Sequence, residues 1–271
     1  MATNRKGRLY LGTQGFSFSD WVGPFYPENT SKSQFLEQYC RHFSTVEIDS
    51  TFYGVPREST VQGWAERTPE DFLFAAKFPR LITHDKKLED AIGDGEFFVR
   101  TMQILKEKLA LLTLQFAYDF TPDHFDRLDT YLRTLPEGPR YAVEVRNRKW
   151  LNTNFREMLS ENNVALVLQD LHYMPRLDWI TADFTVIRWL GRRRDIKEFG
   201  RIQIDRTKNL ESWSEKVQDF MERGFDIFGY FNNHFAGHSP ASVRQFAEML
   251  AVEIKPAKSG RQESFREPHN E

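Results

Sequence analysis

Eight polar side chains sit at or just beyond the ends of short apolar runs in this sequence, where β-strands would deliver them to one rim. Glu47 lies within Val46-Glu47-Ile48, and Glu144 and Arg146 flank Val145. Lys77, Gln115 and Arg188 close three further runs, and Asn232 and Asn233 follow another. Two carboxylates are the residue types that general acid/base chemistry needs. Arginine and lysine suit anions, and a guanidinium can grip a phosphate or carboxylate through two parallel bonds. The expectation is a site in which Glu47 and Glu144 serve as acid and base. Lys77, Gln115, Arg146, Arg188, Asn232 and Asn233 would bind and orient an anionic small molecule. The pattern names no metal ligand and no cofactor.

Strand alternation aims these groups. Val46 and Ile48 turn one way and Glu47 the other; Val143 and Val145 likewise oppose Glu144 and Arg146. Strands are predicted over Arg8–Gly12, Thr45–Ile48, Phe72–Lys77, Leu111–Gln115, Tyr141–Val145, Val164–Leu168, Phe184–Leu190 and Asp226–Phe231. Helical apolar spacing appears over Ser33–His42, Glu58–Arg67, Gly95–Lys106, Phe125–Leu135, Asn154–Glu161, Glu211–Arg223 and Ser239–Ala251. Ser33 and Ser239 read as helix caps, whereas His172–Ile180 holds Pro175 and offers at most a rudimentary helix. Strand and helix alternating at roughly 30 residues per unit imply a parallel sheet, and eight units close naturally as a single (β/α)8 TIM barrel. An open doubly wound sheet would advertise a G-x-G-x-x-G turn after its first strand, and Gly12-Thr13-Gln14-Gly15 lacks that spacing. The domain is expected over residues 1–252, with a charged, disordered tail over 253–271.

Composition narrows the classes. The chain has 271 residues, with Lys plus Arg 37 against Asp plus Glu 39, a net charge of −2. That balance argues against a general polyanion binder while leaving room for a local basic patch. The single cysteine, Cys40, excludes an intramolecular disulfide and a cysteine-based zinc site, and it reads as a packing residue. No run of about 18 apolar residues and no leader pattern is present, so a cytoplasmic protein without a membrane partner is expected.

Four segments carry a family resemblance. Val46-Glu47-Ile48-Asp49-Ser50-Thr51-Phe52-Tyr53 resembles the V-E-[IL]-[ND]-S-T-F-Y signature of the YecE-like family, domain of unknown function 72. Phe74-Ala75-Ala76-Lys77 with Ile82-Thr83-His84 resembles its F-x-x-K…I-T-H segment, and Ala142-Val143-Glu144-Val145-Arg146 with Trp150 its A-V-E-x-R-x-x-x-W. Tyr230-Phe231-Asn232-Asn233 with Gly237-His238 is similar to Y-F-N-N-…-G-H. The resemblance implies a TIM barrel and no particular activity. The chain departs from the family pattern at Phe116–Phe120, at Asn147, at Leu190 and at His234, where two histidines and one carboxylate are replaced.

Several chemistries compete for the same rim. A retaining glycosidase barrel would carry its carboxylates on strands four and seven, which here end in Gln115 and Arg188. Glu47, Glu144, His84, His234 and His238 are metal-ligand types, but Lys77 and Arg146 beside them would repel a cation. Arg192-Arg193-Arg194 follow strand seven, the corner where barrels commonly hold phosphate. The aromatic Phe16, Phe18, Trp21, Phe25, Tyr26, Phe52 and Tyr53 would wall a pocket or close the barrel, and a base-stacking role is the lesser reading. The acidic and basic groups could also serve only one another, Glu47 with Lys77 and Glu144 with Arg146 or Arg188. Apolar residues would fill a barrel at lower desolvation cost, so this many polar groups favour a ligand site. The alternatives are a phosphodiester-acting, nucleic-acid-processing barrel and a non-catalytic binder using the same pocket.

Overall fold

The eight apolar runs form strands within one or two residues of their predicted bounds. They are β1 (Leu9–Gln14), β2 (Thr45–Ile48), β3 (Leu73–Lys77), β4 (Leu109–Gln115), β5 (Tyr141–Glu144), β6 (Ala165–Asp170), β7 (Phe184–Trp189) and β8 (Asp226–Phe231). The computed structural model describes residues 5–192, 195–254 and 256–257. All eight strands pair in parallel, in chain order, and β8 returns to β1 to close a (β/α)8 barrel.

The helices are α1 (Phe35–Cys40), α2 (Glu58–Glu66), α3 (Ile92–Met102), α4 (Phe125–Arg133), α5 (Thr153–Glu161), α6 (Thr207–Glu222), α7 (Asn233–Ala236) and α8 (Ser239–Met249). Between β6 and β7 the chain has no α-helix, in keeping with Pro175. Local hydrogen bonds move three predicted starts. Ser33 is not the cap of α1: a 3-10 turn precedes that helix, opened by Gln34 Oε1 accepting from the Ser31 N–H at 3.0 Å. Ser239 lies inside α8 rather than capping it, because its N–H and hydroxyl both donate to Asn233 Oδ1. Helix α6 starts a turn early because Asp205 Oδ1 accepts from both the N–H and the hydroxyl of Thr207.

Alternation sorts the strand side chains into two cores. Outward-facing Val46, Ile48, Phe74, Leu112, Leu114, Val143, Leu166, Leu168, Ile187, Trp189 and Phe231 pack beneath the helices, where Trp189 and Phe231 stack with centroids 4.0 Å apart. Inward-facing Ala75, Leu111, Ala142, Val167, Phe184, Val186, Phe228 and Tyr230 fill the lower barrel. Across the N-terminal end, Asp226 accepts from the backbone and guanidinium of Arg8, tying β8 to β1. The lower barrel is therefore a packed plug.

Of the expected C-terminal tail, Glu253, Ile254, Pro256 and Ala257 are described; Ile254 packs on the outer core and Ala257 is buried. The remainder lies outside the described residues. No helix among the described residues is long and apolar enough to cross a membrane.

Candidate functional site

Parallel register puts the polar strand ends at nearly one height. Gln14 lies beside Glu47, Gln115 beside Glu144, and Gln169 beside Arg188. Arg188, 2% exposed, reaches inward from β7 to the barrel axis. Its two terminal nitrogens divide the work: Nη1 donates to Glu144 Oε2, and Nη2 donates to Glu47 Oε2 at 2.9 Å and to Gln14 Oε1 at 3.0 Å. Lys77 Nζ stands 3.4 Å from Glu47 Oε2 and also contacts Asp49 Oδ1. Arg146 Nη2 contacts the other oxygen of Glu144. Asn232 Nδ2 donates to Gln14 Oε1 at 2.9 Å. Three acids and three bases thus form one continuous chain from Asp49 through Lys77, Glu47, Arg188 and Glu144 to Arg146.

Above this floor opens a cavity of about 970 Å³. Lys77, Arg80, Arg146, Arg188 and Arg192 line it, with Asp49 and Asp195 as its carboxylates. Gln14, Gln115, Asn232, His84, His172 and His234 add hydrogen-bonding groups. Phe52, Tyr53 and Tyr173 supply aromatic surface, and Tyr53 is 78% exposed. Arg193 and Arg194, predicted as part of a basic corner, lie outside the described residues.

Seven of the eight predicted site residues come together here. Lys77, Gln115, Arg146, Arg188 and Asn232 line the cavity, and Glu47 and Glu144 lie at its base. The carboxylates hold a different post from the one expected of an acid/base pair. Both are 0% exposed and neither lines the cavity, because the arginines cover them. Asn233 departs from expectation altogether. The chain turns into α7 at that point, and Asn233 Oδ1 accepts from Trp21 Nε1, from the Ser239 N–H and from the Ser239 hydroxyl. It pins the first loop to α8 rather than facing a ligand.

The aromatic first loop is likewise structural: Trp21, Phe25 and Tyr26 are buried, and of the predicted aromatic group Phe52 and Tyr53 alone reach the cavity. Gln14, Asp49, Arg80, His172 and Tyr173 were missed as site residues. Gln14 and Asp49 carried a usable signal, since each extends the inward parity of its strand. Arg80, His172 and Tyr173 sit in loops, where alternation gives no direction.

Charge pairing sets the protonation states. Burial alone would push the Glu144 carboxyl up, but Arg146 and Arg188, with Lys77 behind them, outweigh it and hold the group below its usual range. Burial would pull Arg188 down, yet Glu144 and Glu47 raise it instead. The buried Glu144 carboxylate is thus held between Arg146 and Arg188. His84 behaves oppositely. Burial lowers its pKa, with Arg80 adding to the effect, so the imidazole is neutral near pH 7. Its Nδ1 lies 2.9 Å from the Thr83 hydroxyl, which leaves Nε2 as the nitrogen for a ligand. No three metal-ligating side chains converge among the described residues. His238 is turned away, with Nδ1 2.7 Å from the Phe199 carbonyl oxygen and its ring edge-on to Trp21.

The sequence pattern of a family described as "Protein of unknown function DUF72" matches residues 10–266. The chain is 24% identical to the UPF0759 protein YunF of Bacillus subtilis, over 90% of this chain and 95% of that one. It is 32% identical to the UPF0759 protein YecE of Escherichia coli, over 51% of this chain and 48% of that one. The crystal structure of a DUF72 family protein from Thermotoga maritima superposes with a TM-score of 0.78 at 28% identity, covering 90% of this chain and 99% of that one. A DUF72 family protein from Enterococcus faecalis shares the fold, with a TM-score of 0.73 at 22% identity over 93% of this chain and 100% of that one.

Proposed function

The chain belongs to the DUF72 family of proteins of unknown function, and we propose that its barrel mouth binds a small molecule bearing a phosphate or carboxylate and acts on it there. The observation that carries this reading is the division of charge across the mouth. Glu47 and Glu144 lie beneath Arg188 and out of the cavity, while five cationic side chains line it against two carboxylates. The partners of Arg80, Arg146 and Arg188 are Asp85, Glu144 and Glu47, none of which lines the cavity, so the charge facing its open side is predominantly positive. Arg146 is the group best placed to grip an anion, because its side chain is 16% exposed and Glu144 anchors it from below. Preorganised cations of this kind contribute binding without reordering when the ligand arrives. His84, neutral and on the wall, is the candidate proton acceptor; Glu47 and Glu144 position the arginines.

A thermal-shift screen of phosphate esters and carboxylates against their neutral alcohols and amides tests the reading. An anionic ligand at about 100 times its dissociation constant adds about 2.7 kcal/mol of stability, which is readily visible. Arg146→Gln should weaken the best ligand roughly ten- to a hundredfold with the fold intact. Equal affinity in Arg146→Gln, or a preference for the neutral analogues, would overturn it. With a ligand in hand, His84→Gln should keep binding and lose turnover.

A further inference from the structure

A second cavity, of about 440 Å³, opens beside the first. The two adjoin. Leu171, His172, Gly191, Arg192 and Asp195 line both, so one wall built from the loops after β6 and β7 is shared. The second cavity also has cations of its own, Arg176 and Arg206.

One of its two carboxylates is occupied. Asp170 accepts from Trp213 Nε1 at 2.9 Å, from Asn209 Nδ2 at 3.1 Å and from Arg176 Nη2 at 3.0 Å. Arg206 is held differently. Its Nε donates to the Phe235 carbonyl at 2.7 Å, and its guanidinium carbon lies 5.4 Å from the centre of the Phe235 ring. A backbone carbonyl and an aromatic face fix the side chain without neutralising it, and they leave its terminal nitrogens for another acceptor. Arg206 also immediately precedes the 16-residue helix α6, whose positive end faces the same region. Arg206 is thus a cation on this cavity's wall held on a rigid support by uncharged partners.

We propose that the two cavities form one bipartite site for a small molecule with two separated anionic groups, such as a bisphosphate or a phosphorylated carboxylic acid. One anion lies over Arg146 and Lys77, the other against Arg206 and Arg176, and the uncharged middle crosses the shared wall at Gly191. Gly191 is one of the residues that line both cavities. The proposal rests on the anionic-ligand reading of the main cavity and extends it.

The test is isothermal titration of the full chain with a hexose monophosphate and the matching hexose bisphosphate. The bisphosphate should bind roughly ten- to a hundredfold tighter, the increment of one added charge-assisted contact. Arg206→Gln should erase that advantage while leaving the monophosphate affinity unchanged. Arg206→Lys, which keeps the charge and gives up the Phe235 carbonyl bond, should retain most of it and shows that a loss in Arg206→Gln is one of charge. Equal binding of the two sugars to the wild type, or an advantage that survives in Arg206→Gln, overturns the bipartite site and leaves the main cavity's reading standing. If neither sugar binds, nor any anion in the broader screen, the reading of the main cavity has failed and the bipartite site falls with it.

Discussion

Arg188 of β7 and Glu144 of β5 meet at the centre of the barrel, neither with more than 2% of its side chain open to solvent. Arg188 also holds Glu47, so one guanidinium bridges two buried carboxylates. Arg188→Met keeps the apolar stem and removes the charge. Breaking one side of a buried pair costs roughly 3–5 kcal/mol, because the remaining ion stays in low dielectric. Denaturant unfolding should therefore show a loss of at least that size. A loss under about 1 kcal/mol would mean that Lys77 and Arg146 alone suffice for the two carboxylates.

Acid should weaken the fold in a direction that Glu144 and Asp226 determine. Both are held below their ordinary values: burial opposes this in each, and it is outweighed by Arg146 and Arg188 at Glu144 and by Arg8 at Asp226. A depressed carboxylate adds stability in full above its unfolded value of about 4, and that stability is lost as pH falls toward the folded value. The unfolding free energy should fall from about pH 5 downward. Asp226→Asn should narrow the difference between about pH 7 and pH 3. Stability that rose on acidification would contradict the assignment.

Gly191 cannot be replaced at little cost. Its φ of +68° lies in the left-handed region, and a Cβ there would meet the His234 carbonyl oxygen at 1.9 Å. Gly191→Ala should cost about 2 kcal/mol or more, since backbone strain alone is of order 1–3 kcal/mol. Because Gly191 walls both cavities, ligand binding should weaken as well. A variant with wild-type melting and affinity would show that the loop after β7 can shift freely.

Cys40 should be inert. It is 4% exposed on α1, and burial pushes its thiol up to about 12. An aromatic disulfide reagent should leave the folded protein unlabelled and modify one thiol on denaturation. Prompt labelling of native protein would refute the packing role.

How far the sequence reached follows from what is periodic in it. Eight strand–helix units gave the barrel, and because inward and outward parity is a property of the strand itself, alternation gave the convergence of Glu47, Glu144, Lys77, Arg146 and Arg188. Two of the eight strands, β2 and β8, match their predicted bounds at both ends. The first loop was harder to read, because aromatic residues wall pockets and pack cores equally well. Trp21, Phe25 and Tyr26 went into the core when Asn233 tied that loop to α8.

What the sequence determined by itself was the fold and seven of the groups at or beneath the barrel mouth, because strand periodicity is local and the barrel makes the strand ends converge. Tertiary structure alone decided how each is held. Glu47 and Glu144 look identical to a catalytic pair until the guanidinium of Arg188, more than 40 residues away from each, is seen to lie between them. Only then are they buried anions beneath a cationic floor. The same holds for Asn233, adjacent in sequence to Asn232. One amide faces Gln14 in the mouth and the other faces Trp21 and Ser239, because the chain bends into α7 between them. Partners that distant in sequence leave no trace in local spacing, and burial is a property of the assembled layers.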